Sequence, residues 1–297
     1  MCIRDSARAS SPLPGEERGD GRPSLVVNLG GVRMELVWIP PGRFRIGDPG
    51  GCADERPATA VTIARGFYVS KFEITNAQYA WFDRRHDSRL ETGDFLQFSV
   101  EERGYPVNSP NQPVCRVSWE QAMAFCRRLS AMTGRRFSLP TEAEWEYTCR
   151  AGSTAPMSWG YVSRDFARLA NLADASLRRV DTFAPWALPS GAVQPWRPAI
   201  EAVNDGFRVS APVGSYVPNS FGLYDMHGNV AEWTRSLYRP YPYRDGDGRN
   251  RTDRSGPRVV RGGSWWDRPA EARAAYRAAY PQWRRVYDVG FRVVCEE

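Results

Sequence analysis

The chain has 297 residues, 42% hydrophobic and 25% charged, the balance of a soluble globular protein. No apolar run reaches the roughly 18 residues needed to cross a bilayer, and a chain this long buries a core without disulfide or metal staples. Net charge is +6, but the basic residues are spread along the chain and all but Lys71 are arginine. With no basic run and no Cys/His finger, nucleic acid is not expected as a partner.

Residues 1–23 are Arg, Ser, Pro, Gly and acids with almost no large apolar groups. They are expected to be disordered, and residues 24–297 are read as a single domain. No apolar stretch of a signal peptide is present, so the default expectation is a cytoplasmic protein.

From Leu25, the segments LVVN, Gly30-Gly31 and VRMELVWIP read as a β-hairpin with a glycine turn. Pro40-Pro41-Gly42 breaks the second strand, and FRIG (44–47) is another short one. Residues 61–74 alternate well enough for one or two strands. Thr75 or Asn76 then caps a helix through AQYAWFDRR, to Arg85.

Ser118-Trp119-Glu120-Gln121 and Thr141-Glu142-Ala143-Glu144 are capping boxes. The first opens a helix whose Trp119, Ala122, Cys126 and Leu129 share a face and which stops at Gly134. The second runs through Trp145, Tyr147 and Cys149 to Gly152. Residues 153–220 are rich in Pro, Gly, Asn and Trp without periodicity, and a stretch that long is usually functional or pinned. From Gly222 to Val294 the Gly- and aromatic-rich pattern reads as short strands and tight turns.

None of the six cysteines (Cys2, Cys52, Cys115, Cys126, Cys149, Cys295) is in C-x-x-C spacing, so zinc-ribbon and thioredoxin-like readings fail. Two histidines, His86 and His227, are too few for a His-rich metal site. Cys126 and Cys149 read as small buried hydrophobes, and His227 as a solvent-facing or hydrogen-bonded structural residue. In 264–288, Trp265, Trp266, Tyr276, Tyr280, Trp283 and Tyr287 are interleaved with Arg268, Arg273, Arg277, Arg284 and Arg285, a hot-spot composition. Trp265 and Tyr276 are expected in the core, Trp266, Tyr280 and Trp283 on a ligand surface.

Five motifs occur in order: LPTEAEWEYTCRAG (139–152), ANLAD (170–174), PVGSYVPNSFGLYDMHGNVAEW (212–233), RVVRGGSWW (258–266) and GFRVV (290–294). Together they resemble the formylglycine-generating enzyme, or sulfatase-modifying factor, family over about residues 32–296. The resemblance implies an irregular α+β domain, related to the C-type lectin fold and low in regular secondary structure. It also implies copper- and oxygen-dependent oxidation of a sulfatase cysteine to formylglycine. In the family, two thiolates hold Cu(I) just after the GGS turn, a soft ion on soft ligands. Here residues 265–277 contain no cysteine, and Asp267 stands where the first thiol is expected. Formylglycine generation is therefore expected to be lost, and no copper is expected.

The resemblance further implies structural calcium. Asn171 with the Leu172 carbonyl, and Asp205 with the Phe207 carbonyl, match one site; Gly228, Asn229, Val230 and Glu232 match a second, both built of hard oxygen ligands. The family's substrate groove maps here onto Trp266, Asp267, Arg268, Arg277, Tyr280 and Trp283. The favoured reading is a binding module for a protein or peptide in that groove, also compatible with one domain of a longer bacterial protein. The alternative is an oxygen-dependent oxidoreductase with a non-thiolate metal site, for which Asp267, Glu271 and Asp288 are candidates. Least favoured is a residual oxidase using Cys115 or Cys295.

Overall fold

The computed structural model describes residues 16–19, 22–89, 107–161, 165–177 and 199–296. Its strands are β1 (Glu16–Gly19), β2 (Arg22–Leu29), β3 (Val32–Ile39), β4 (Gly42–Ile46), β5 (Thr59–Ile63), β6 (Phe67–Ser70), β7 (Arg136–Ser138), β8 (Ala231–Leu237), β9 (Pro257–Arg261), β10 (Ala278–Pro281), β11 (Val289–Gly290) and β12 (Val294–Glu296). Among the described residues the α-helices are α1 (Asn76–Ala80), α2 (Trp119–Thr133) and α3 (Glu142–Arg150). The sheets run β1-β2-β3-β6-β12-β7, β10-β9-β8-β11 and β4-β5. All pairings are antiparallel except β11 with β8. This is the expected α+β architecture, short elements linked by long irregular segments. Among the described residues no helix is long and apolar enough to cross a membrane.

The β2–β3 hairpin forms as its sequence dictates. Gly30 and Gly31 both take positive φ (63° and 102°), the geometry of a tight turn that matches strand twist. The Asn28 side chain accepts the Gly31 N–H at 2.7 Å. Leu25, Val27 and Leu29 on β2, with Met34 and Leu36 on β3, point inward. They meet Phe125, Cys126 and Leu129 of α2, Trp233 of β8 and Phe291 just after β11 in one core cluster. Each such side chain contributes about 1.5–3 kcal/mol on full burial.

All three helices open on capping boxes, at Thr75, Ser118 and Thr141. Gly134 ends α2 in the left-handed region. α1 stops at Ala80 rather than Arg85. Beyond it the Asp83 and Asp87 carboxylates accept the Arg85 and Arg89 backbone N–H groups, local bonds that compete with helix. A second difference lies at the start. β1 pairs antiparallel with β2, Glu16 opposite Leu25, inside the stretch expected to be disordered. A sheet edge offers backbone partners whatever the side chains are. The rest of that stretch, 1–15 and 20–21, lies outside the described residues, as do 162–164 and 178–198 of the irregular region. The described remainder of that region is pinned, Ala173 N to Asp267 O (2.9 Å) and Asn229 N to Asn171 O (2.8 Å).

Candidate functional site

The site is built on the turn after β9. Gly262 and Gly263 have φ of 95° and 67°, and a Cβ on Gly263 would lie 3.0 Å from the Ala272 Cα and the Glu271 carbonyl. Two glycines thus let the chain fold back on itself and present residues 264–277 as one compact loop. Trp265 anchors it, buried among Cys115, Ala173, Val209 and Val230. Its N–H donates to Asn229 O at 2.9 Å. Trp266 is half-buried, edge-on to Trp265 (5.6 Å) and Tyr287 (6.2 Å).

Asp267 lies at the centre of this loop. One carboxylate oxygen accepts the Ser264 N–H and lies 2.9 Å from the Ser264 hydroxyl. The same hydroxyl is 2.8 Å from Asp288 Oδ2. One hydroxyl carries one proton, so it donates to only one of the two carboxylates. Burial, with Glu271 adding, pushes the Asp267 carboxyl up, against the Ser264 bonds. The arrangement can hold a proton; it offers no soft ligand.

The thiols are dispersed. Cys115 is buried behind Trp265. Cys126 is on α2, Cys149 on α3 and Cys295 on β12, all buried and free, while Cys52 is exposed. Burial pushes the Cys126 and Cys149 thiols well up and Cys295 up to about 11. Cys2 lies outside the described residues. Among the described residues no three His, Cys, Asp or Glu converge as a metal group.

His227 is a structural residue that braces the loop. Its Nδ1 donates to the Ala272 carbonyl at 2.7 Å, and its Nε2 accepts the Ser158 N–H at 3.0 Å. Burial holds it neutral, down at about 4, and the two bonds, a carbonyl at Nδ1 and an N–H at Nε2, fix the tautomer. Its role as an anchor of the 264–277 loop is invisible in sequence, because Ala272 supplies only backbone.

Of the groove residues read from sequence, Arg268 is exposed and Trp283 is 68% exposed. Tyr280 is half-buried, edge-on to Trp233 at 6.2 Å, so it serves the second sheet as much as any surface. Arg277 is a correction: it is buried. Its Nε donates to Glu142 Oε1 at 2.6 Å, its Nη1 to Asp54 O at 2.8 Å and its Nη2 to Arg239 O at 2.9 Å. The guanidinium also lies over Tyr241, 4.3 Å from the ring centroid. The cause is α3, whose first turn carries Glu142 into the interior, where a carboxylate requires a cation. Arg150 and Arg261 pair likewise with Glu146 of α3, and Arg273 with Glu55 (2.6 Å).

The first calcium set fits a hard cation. Asn171 is buried, its Nδ2 donating to Val209 O at 2.9 Å and to Asn229 Oδ1 at 3.3 Å, while its Oδ1 has no partner. Such an orphaned oxygen costs about 1–3 kcal/mol. Asp205 accepts the Phe207 N–H (2.8 Å) and the Tyr216 hydroxyl (2.7 Å). Burial, with the Asp174 carboxylate adding, pushes it up to about 7 against the Tyr216 bond. Leu172 and Phe207 lie on the same two segments.

The second set does not fit, a further correction. Both Glu232 oxygens bond to Arg292 (2.6–2.8 Å) and one also to Trp145 Nε1 (2.7 Å), so the guanidinium already supplies the positive charge. The Asn229 side chain is spent on Glu73 and the Ala211 N–H, and the Val230 N–H on Glu73. Gly228 is glycine for space: φ is 81° and a Cβ would lie 2.1 Å from Asn171 O.

The model of the sulfatase-modifying factor enzyme 1-like domain matches residues 31–297. A mouse protein named inactive C-alpha-formylglycine-generating enzyme 2 is 30% identical over 281 residues, covering 82% of this chain and 78% of that one. Mouse formylglycine-generating enzyme is also 30% identical, over 67% of this chain, which spans only 57% of its length. Among solved structures, PvdO from Pseudomonas aeruginosa superposes with a TM-score of 0.67 at 26% identity, over 97% of this chain and 100% of that one.

Proposed function

Because the chain belongs to the sulfatase-modifying factor family, we propose that it is a member without thiol oxidation, a module that binds a protein or peptide segment around Trp266, Asp267, Arg268 and Trp283. The observation that carries this reading is the Asp267 carboxylate, bonded to Ser264 in the loop after the GGS turn. A carboxylate is a hard ligand and cannot replace a thiolate on Cu(I). The buried thiols at Cys115, Cys126, Cys149 and Cys295 belong to other elements, and a mouse relative whose name calls it inactive is consistent with the loss. Calcium would be held by Asn171 and Asp205 with the Leu172 and Phe207 carbonyls. Its part would be structural: positive charge for the orphaned Asn171 oxygen and the half-buried Asp205 carboxylate.

The test is incubation of the protein with Cu(I), oxygen and a sulfatase-type cysteine peptide, following oxygen uptake and peptide mass. No turnover is expected; conversion of cysteine to formylglycine would overturn the reading. Metal analysis after dialysis is expected to return calcium, lost in Asn171→Ala, and stoichiometric copper or iron would restore an oxidoreductase.

A further inference from the structure

Lys71, the only lysine of the chain, stands directly after β6. It lines a cavity of about 340 Å³ together with Pro23 of β2, Glu35 and Val37 of β3, and Ser220 and Phe221. That volume is at the low end of small-ligand sites. None of the residues of the 264–277 loop lines it.

The walls are tied to one another. Lys71 N donates to Glu35 O at 2.8 Å and Tyr224 N to Lys71 O at 3.1 Å. The Asn219 side chain accepts the Phe221 and Leu223 N–H groups at 3.0 and 3.2 Å and donates to Thr148 O at 2.7 Å. Phe221 packs against Tyr147, with 5.6 Å between ring centroids. The space is thus formed before a ligand enters, which keeps the ordering cost of binding low.

The Lys71 ammonium is held in place without being saturated. It lies 5.5 Å from the Phe72 ring centroid and 5.8 Å from that of Tyr224, within cation–π range. Of its three donors, one reaches Glu35 Oε2 at 3.3 Å, longer than the roughly 2.7–2.9 Å of a tight charge-assisted bond. Among the described residues Lys71 Nζ has no other acceptor. Glu35 is also shared with Arg33, 3.6 Å away. The Ser220 hydroxyl and N–H bond to no protein atom among the described residues. The polar groups left over in this cavity are therefore donors, and Pro23, Val37 and Phe221 beside them are apolar.

We propose that the cavity binds a small carboxylate with an apolar body, its oxygens on the Lys71 ammonium and the Ser220 donors and its body on Val37 and Phe221. A compact ammonium is a point charge that a single carboxylate can neutralise. Phosphate is disfavoured, because Glu35 repels its second charge and it offers the apolar wall nothing. A free apolar acid and the C-terminal residue of a peptide present the same chemistry. The inference goes beyond the groove reading and needs no part of it.

Labelling with nitrogen-15 lysine gives one lysine backbone amide resonance, that of Lys71, on the cavity wall. N-acetyl-leucine is titrated against it, with N-acetyl-leucine amide and inorganic phosphate as controls. A saturable shift is expected with the acid at about 1 mM or below, and binding of the amide at least about tenfold weaker. By calorimetry, Lys71→Gln should weaken binding about tenfold and Ser220→Ala about threefold, with thermal unfolding showing both variants folded. A pentapeptide ending in a free leucine carboxylate separates the sources: tighter binding than N-acetyl-leucine assigns a peptide terminus, equal or weaker binding a free acid. The inference is overturned if the acid leaves the Lys71 resonance unmoved, if the amide or phosphate binds as well as the acid, or if both variants bind like wild type.

Discussion

Residues 264–288 contain two kinds of arginine that composition alone treats as one. Arg273 and Arg277 run inward to Glu55 and Glu142, whereas Arg268, Arg284 and Arg285 face solvent. The difference lies in their neighbours. Ala272, Ala274 and Ala275 are buried, small enough to let this part of the loop press against the body, so that its arginines meet the carboxylates of the Ala53–Glu55 turn and of α3. After β10 the chain turns at Gln282, whose amide takes the Glu120 carboxylate, and among the described residues Arg284 and Arg285 pair with no acid. An Arg- and aromatic-rich stretch is therefore half interior scaffold and half surface. What separates the halves is whether an acid waits on the inside.

The largest effect is expected from breaking the inner half. Glu142→Ala strips Arg277 of its carboxylate in a buried setting and is expected to cost about 3–5 kcal/mol. Chemical denaturation measures it, and a loss below about 1 kcal/mol would erase the distinction between the two halves.

The interior also holds a charge it does not fully balance, which sharpens the comparison. Burial pushes the Asp225 carboxyl up to about 6, with Glu232 adding, against its bond from Gly214 N and the Arg292 charge. A folded value above the unfolded one means that folding favours the protonated form. Its contribution is full below about pH 4 and lost as pH rises through about 6. Asp225→Asn removes the dependence. The variant should therefore gain about 2–3 kcal/mol on wild type between pH 4 and 7.5. Taking the difference cancels the opposite trend of His227, whose depressed value makes acid destabilising. Urea titrations at the two pH values decide it, and a constant gap would contradict the assignment.

The smallest effect belongs to the outer half. Trp283→Ala is expected to change unfolding free energy by under about 0.5 kcal/mol. A loss above about 2 kcal/mol would mean that the ring is part of the core and not of a surface.

What was legible in the sequence was local. Gly30-Gly31 turns a hairpin, Ser118 and Thr141 cap helices and Gly134 ends one, because each of these acts on its own few residues. The family motifs likewise located the GGS turn and Asp267. What stayed hidden is the meeting of distant groups. Arg277 reaches Glu142 from 135 residues away and Arg292 reaches Glu232 from 60 away, and no periodicity encodes such pairings. That is why Arg277 reads as groove and Glu232 as a cation ligand until the fold is seen. Trp265 fared better: its burial follows the GGS motif. The exposure of Trp283, Arg284 and Arg285 could not be told from the burial of Arg277, since composition is the same on both sides of β10.

β12, Val294–Glu296, lies between β6 and β7 in the six-stranded sheet. Both of its neighbours are synthesised long before it. Until Val294–Glu296 leave the ribosome, β6 and β7 each present a bare edge, open to pairing with other chains. Misassembly during translation is thus where this topology is most vulnerable, and a stop codon before Val294 would make that interval permanent.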